Sequence, residues 1–210
     1  MSVGSRIALV DDRSSASNPS EFSVHPLRYA SHFPLWPCTL ASALCLMGVW
    51  TVLRPAFWPW AVVFLILNAL FWTRVKLRFR HGCVNPATIL STSPLTLAVF
   101  TDLATGGGTY PVIKILPHPV PKGAQLKVGD KCATVAMYTG VRNPWHWESF
   151  SPILVECATT NRLTTERALQ SIPAEEWSSL EEGLKNIPQP FKLGQYPLSC
   201  FGSNRHPHIS

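Results

Sequence analysis

Two uncharged stretches decide how this chain is read: LWPCTLASALCLMGVWTVL over residues 35–53 and AFWPWAVVFLILNALFWT over residues 56–73. As α-helix, each would extend roughly 27–29 Å, close to the hydrocarbon thickness of a bilayer. Arg54 and Pro55 separate them, which suits the tight turn of a helical hairpin. Pro37 and Pro59 fall in the first turns, where a missing N–H costs least. Trp36, Trp50, Trp58, Trp60 and Trp72 gather toward the ends, as indole rings do at headgroup depth. The expectation is a transmembrane hairpin, since 210 residues could hardly wrap two such segments on every side. A cleaved signal peptide fits poorly, because a second apolar span follows at once.

Outward from the hairpin, the charges fall in a telling place. The formal net charge is +6, yet residues 1–35 balance Arg6, Arg13 and Arg28 against Asp11, Asp12 and Glu21. Arg54 adds one, and Arg74, Lys76, Arg78 and Arg80 add four directly after the second span. From His81 onward ten basic residues face nine acidic ones. A nucleic-acid binder spreads a basic patch over its folded domain; this chain does not, and no nucleic-acid partner is expected. The Lys/Arg bias instead places both termini in the cytoplasm. Residues 74–80 alternate apolar (Val75, Leu77, Phe79) with basic, which reads as a strand whose charged face can rest on anionic lipid headgroups, at about 1 kcal/mol per charge.

The segment over 74–198 reads as a soluble β-rich domain. Nineteen Pro disfavour a mainly helical fold. Strands are expected at 87–91, 95–101, 110–116, 132–138 and 153–158, with a glycine turn at 105–109. The Gly129-Asp130 corner before a strand suits a small barrel. Helices are expected at 164–172 and 173–187, the second with Ala174, Trp177, Leu180, Leu184 and Ile187 along one apolar face packed on the sheet. Residues 1–34 and 199–210 are expected to be disordered tails. The fold class is thus a membrane-anchored α+β chain: a two-helix hairpin, then a small β-barrel or β-sandwich-like domain with C-terminal helices.

The peptides HGCVNPA (81–87), TDL (101–103), YPVIK (110–114) and IPAEEW (172–177) together resemble a bacterial family of uncharacterised membrane proteins, domain of unknown function 3239. The likeness covers about residues 75–198. It implies a bacterial membrane setting and brings no catalytic residues.

For chemistry, the pattern is sparse. His81 and Cys83 form a His-x-Cys too common to mark a metal site, and no cofactor is expected. Cys132 and Cys157 sit in apolar patterns and read as core thiols. The aromatic run Trp145, His146, Trp147, Glu148 and Phe150 is the candidate binding loop, if it does not simply fold over the end of the barrel. Three functions compete. The first is a tethered binding or assembly module, with the bilayer, a second copy or another membrane protein as partner. The second is a membrane-surface enzyme using Asp102, His146 and Glu148. The third is a small oligomeric pore, for which Asn68, the one strongly polar side chain in the spans, offers little pathway.

Overall fold

The computed structural model describes residues 22–105, 109–140 and 146–198. Its two apolar helices are α2 (Leu35–Leu53) and α3 (Trp58–His81), joined by a single 3-10 turn at Pro55–Phe57. Helix α2 matches the expected span at both ends. Both helices are long and apolar enough to cross a membrane, and almost none of their apolar surface is covered by the rest of the chain. Val52 is 83% exposed and Leu53 70%, which rules out a core hairpin within this chain. The Asn68 amide donates to the Leu40 carbonyl on α2 at 3.0 Å and to Phe64 O, tying one helix to the other. Its polar side chain is spent on holding the hairpin closed.

The second helix corrects the strand expected at 74–80. It runs on without a break to His81 and ends where Gly82 meets the sheet. A Cβ at Gly82 would lie 2.5 Å from Val135 Cγ1, so the junction has room only for glycine. Val75 and Phe79, four residues apart and thus on one helical face, are buried, whereas Leu77 points away and is 46% exposed. Alternation over seven residues and an i, i+4 pair agree on Val75 and Phe79 and differ at Leu77, which the helix exposes, and at Arg78, which it turns inward.

Six antiparallel strands follow: β1 (Cys83–Thr92), β2 (Leu95–Asp102), β3 (Pro111–Pro117), β4 (Lys131–Thr139), β5 (Ser149–Leu154) and β6 (Gly194–Pro197), in the spatial order β5-β4-β1-β2-β3-β6. The sheet curls into a half-barrel rather than a closed barrel or a two-sheet sandwich. Its curl brings Lys114 of β3 across to β5, where Nζ donates to Ser149 Oγ at 2.9 Å and Phe150 O at 2.6 Å. Ala87, Ile89, Leu97, Val99, Val112, Phe150 and Leu154 fill the main core, which α3 joins through Val75 and Phe79. The outer face of Ala98, Phe100, Ile113 and Ile115 is covered by Leu180 and Ile187 at the end of helix α5 (Ala174–Asn186). Helix α4 (Arg162–Gln170) closes another side through Ala168. The apolar face expected on α5 therefore does pack on the sheet, except that Ala174 is exposed.

Other differences are local. The strand expected at 153–158 lies earlier, as β5, and Val155–Cys157 is a 3-10 turn. The short edge strand β6 was not expected at all. The Gly129 corner is as expected, with φ +91° and Lys127 N–H bonded to Asp130 Oδ2 at 2.7 Å. Cys83, Cys132 and Cys157 are buried. Residues 22–34, assigned to a disordered tail, are ordered: helix α1 (Pro26–His32) buries Tyr29, and Val24 joins the core. The rest of both expected tails, residues 1–21 and 199–210, lies outside the described residues, as do glycines 106–108 of the expected turn.

Helix and strand make opposite forecasts for the junction. Phe79→Ala should cost about 3–5 kcal/mol of stability, as emptying a filled core site does. Leu77→Ala should cost under about 1 kcal/mol. Thermal unfolding of the two variants in detergent checks this; equal losses would favour the alternating strand.

Candidate membrane junction and binding surface

The place where the hairpin meets the sheet is built from both sides of the chain. Helix α1 precedes the first span and α3 follows the second, and they meet through rings. Tyr29 packs on Trp72 and Phe79 with centroids 6.2 Å away in each case, and Phe22 lies 5.5 Å from Phe79. The strand-to-helix change redistributes the four basic residues. Arg74, Lys76 and Arg80 are exposed around the helix where it leaves the apolar segment. Arg78 instead turns inward, and its guanidinium donates to the Ser151 carbonyl of β5. Its Nε is buried without a protein partner. The headgroup-contact set expected from sequence is thus reduced to three, with Arg78 corrected to a pin between α3 and the sheet.

Two histidines that sequence reading passed over fasten the same region. His32, at the end of α1, accepts the Lys122 N–H at Nε2 (2.9 Å), and its Nδ1 lies 2.8 Å from the Arg28 carbonyl. His118 accepts the Leu154 N–H at Nε2 (3.2 Å), with Nδ1 2.9 Å from Pro119 O. Each bonding pattern requires a neutral ring with the proton on Nδ1. His118 also meets Phe33 edge-on at 5.9 Å, so it touches the residue just ahead of the first span. Arg28 completes the fastening by donating to Lys122 O (2.8 Å) and Glu156 O (3.1 Å). No local motif announces these partners, because they lie about ninety residues or more from His32 and Arg28 in the chain.

The aromatic run is divided by its surroundings. Phe150 is fully buried in β5, so it belongs to the core and not to a surface loop. Trp147 is half-buried, its ring stacked near Tyr138 at 6.3 Å, and its N–H bonds Leu103 O at 2.9 Å. His146 stacks on Tyr110 at 4.1 Å with an 8° tilt. Glu148 is exposed beside Gly140. Trp145 lies outside the described residues. The described rings therefore fold over one end of the half-barrel. That end is the Tyr110 end of β3, whereas Phe33 meets His118 at the other; seven strand residues separate them by roughly 20 Å.

The suspected catalytic trio does not assemble into a nucleophile and base. Asp102 Oδ1 accepts the N–H groups of Ala104 and Tyr110, both at 2.8 Å, and so serves the turn that follows β2. His146 Nδ1 is engaged with Trp147 O at 2.9 Å. Among the described residues, no three His, Cys, Asp or Glu side chains converge on a possible metal ion.

Comparison with known proteins agrees with the resemblance noted from sequence. The family described as "Protein of unknown function (DUF3239)" matches residues 72–188. No curated protein matches the chain. A crystal structure titled as that of a "putative membrane protein" from Corynebacterium diphtheriae has 22% identity and a TM-score of 0.47. The match covers 55% of this chain and 99% of that one.

Burial, with the Arg78 charge nearby, holds the His118 pKa below its ordinary 6.5, while the Pro119 carbonyl opposes the shift. Below pH 6.5 the unfolded chain takes up a proton at this position that the folded chain accepts only at lower pH. The stability from the neutral ring is complete above 6.5 and is lost as pH falls from there toward the folded pKa. Between pH 7.5 and 5.5 the protein should lose more thermal stability than His118→Gln does. Parallel pH profiles for the two would exclude this role.

Proposed function

We propose that this chain, which belongs to the DUF3239 family, is a membrane-tethered binding or assembly module whose half-barrel stands on the cytoplasmic face of the bilayer. One observation carries the reading: α3 is a single helix whose first part is uncovered apolar surface and whose last turns are buried in the β-domain core. A hairpin held this way has no free swivel, so the domain is presented to the membrane at a fixed height and angle. Arg74, Lys76 and Arg80 ring the helix at the level where headgroups would begin, and each favours the anionic cytoplasmic leaflet by about 1 kcal/mol. The hairpin loop carries only Arg54, so the Lys/Arg bias places both termini in the cytoplasm. The exposed, uncharged α2–α3 surface, with Ala41, Ser42, Ala43 and Gly48 among its small residues, suits packing against a second hairpin.

Orientation is checked in intact bacterial cells: protease added outside should leave the β-domain whole and reach it only after lysis. Changing Arg74, Lys76 and Arg80 together to Glu should send a substantial fraction of the domain to the outside or abolish insertion. External cleavage of the unaltered protein would refute the placement. Assembly is checked by the native mass after mild cross-linking in cells and detergent extraction. A homo-oligomer or a stoichiometric membrane partner is expected, and a 23.3 kDa monomer without companions would remove the assembly role.

A further inference from the structure

At the Tyr110 end of the sheet, beside the start of β1, the fold leaves a pocket of about 400 Å³ between the strands and the start of α5. Asn85, Thr101 and Tyr138 contribute to it from three neighbouring strands. Thr101 Oγ1 donates to Asn85 Oδ1 at 3.3 Å, so the Tyr138 hydroxyl, 2.9 Å away, donates in turn to Thr101. That leaves the Asn85 amide nitrogen without a protein partner, although the residue is only 2% exposed. Exchanging the two ends of the amide would free its oxygen instead, so one open amide group remains in either assignment. A core position that needed only volume would be filled without this standing cost by Val or Leu.

The rest of the pocket has one sign of charge. Asp102 comes from the end of β2, and Glu175 and Glu176 from the first turn of α5; among the described residues no Lys, Arg or His lines the space. Helix starts favour acids, which accounts for their presence there but not for Glu176 Oε2 being buried without a partner. Burial, with Asp102 nearby, raises the pKa of Glu176, which marks a carboxylate short of a counter-charge. Among the described residues these carboxylates do not gather tightly enough to hold one metal ion. Phe100 and Pro111 supply apolar wall between the acidic rim and the amide.

We propose that this pocket binds a small organic amine that also carries a hydrogen-bonding carbonyl or hydroxyl group. The ammonium group sits among Asp102, Glu175 and Glu176, the carbon chain runs along Phe100 and Pro111, and the polar end meets Asn85. A chain of four or so carbons matches the volume better than a bare cation, and the mixed lining selects against purely apolar amines.

Calorimetric titration of the detergent-solubilised full chain with 4-aminobutanamide tests this, with butanamide and Mg²⁺ as comparison ligands. Saturable binding of the amine is expected, at least tenfold weaker for butanamide. Glu175→Gln with Glu176→Gln should weaken amine binding tenfold or more while leaving the unfolding temperature without ligand near its original value, since Glu175 is exposed and the buried Glu176 Oε2 has no protein partner to lose. Asn85→Ser gives a second reading: loss of the preference for 4-aminobutanamide over butylamine. No saturable amine binding, binding unchanged in the double variant, equal binding of butanamide, or displacement of the amine by millimolar Mg²⁺ would each overturn the assignment.

Discussion

The continuity of α3 is the constraint on which the remaining structure depends. A helix cannot bend sharply without a proline, glycine pair or inserted group, and after Pro59 the sequence supplies none before Gly82. Uncovered apolar surface and domain core are therefore parts of one rigid rod. Phe79 and Val75 fix its rotation, because only one face of the rod can enter the half-barrel. Once that face is set, the exposure of Arg74, Lys76 and Arg80 and the inward turn of Arg78 follow from helical geometry alone. Gly82 then lets the chain pass directly into β1, so the first strand is positioned by α3 rather than by a linker.

The second attachment works from the other side of the hairpin. Helix α1 has only seven residues, too few to persist by itself. It holds because its ends and faces are bonded elsewhere: His25 N–H to Ala158 O, Arg28 to Glu156 O and Lys122 O, and His32 to Lys122 N–H. The two spans thus enter and leave the domain at tied points. A hairpin with both feet held transmits its orientation to the sheet. Histidines are suited to such ties since one ring offers a donor and an acceptor at fixed separation.

The half-barrel solves its own closure problem with few residues. Lys114 reaches from β3 to the carbonyl of Phe150, and Gln195 of β6 reaches Glu148 O at 2.9 Å, so the two sides of the curl are stitched across the gap. Trp147 and His146 then cover the end through their stacks with Tyr138 and Tyr110. Aromatic residues that looked costly to expose are largely occupied in this way. The polar cluster of Asn85, Thr101 and Tyr138 lies beneath the same end, with the Asn85 amide left incompletely satisfied.

What the sequence by itself determined is governed by local rules. A bilayer-length apolar run with an Arg-Pro break specifies two helices, and α2 begins and ends where that run does. Strand periodicity located four of the six strands to within a few residues and set β5 too late in the chain, and the Gly129-Asp130 corner needed only turn chemistry. Tertiary structure decided where local signals tie. Over residues 74–80 a seven-residue alternation and a helical i, i+4 pair bury the same two side chains, and the cost of leaving a helix already under way settled the matter in favour of α3. Phe150 read as part of an aromatic loop because nothing nearby shows that the curled sheet brings Lys114 over it. Residues 22–34 read as tail because their bonding partners come from residues 118–158, and β6 escaped notice because four residues at a sheet edge take their conformation from β3. Long-range pairing has no period in sequence, so it becomes visible only when the chain has folded.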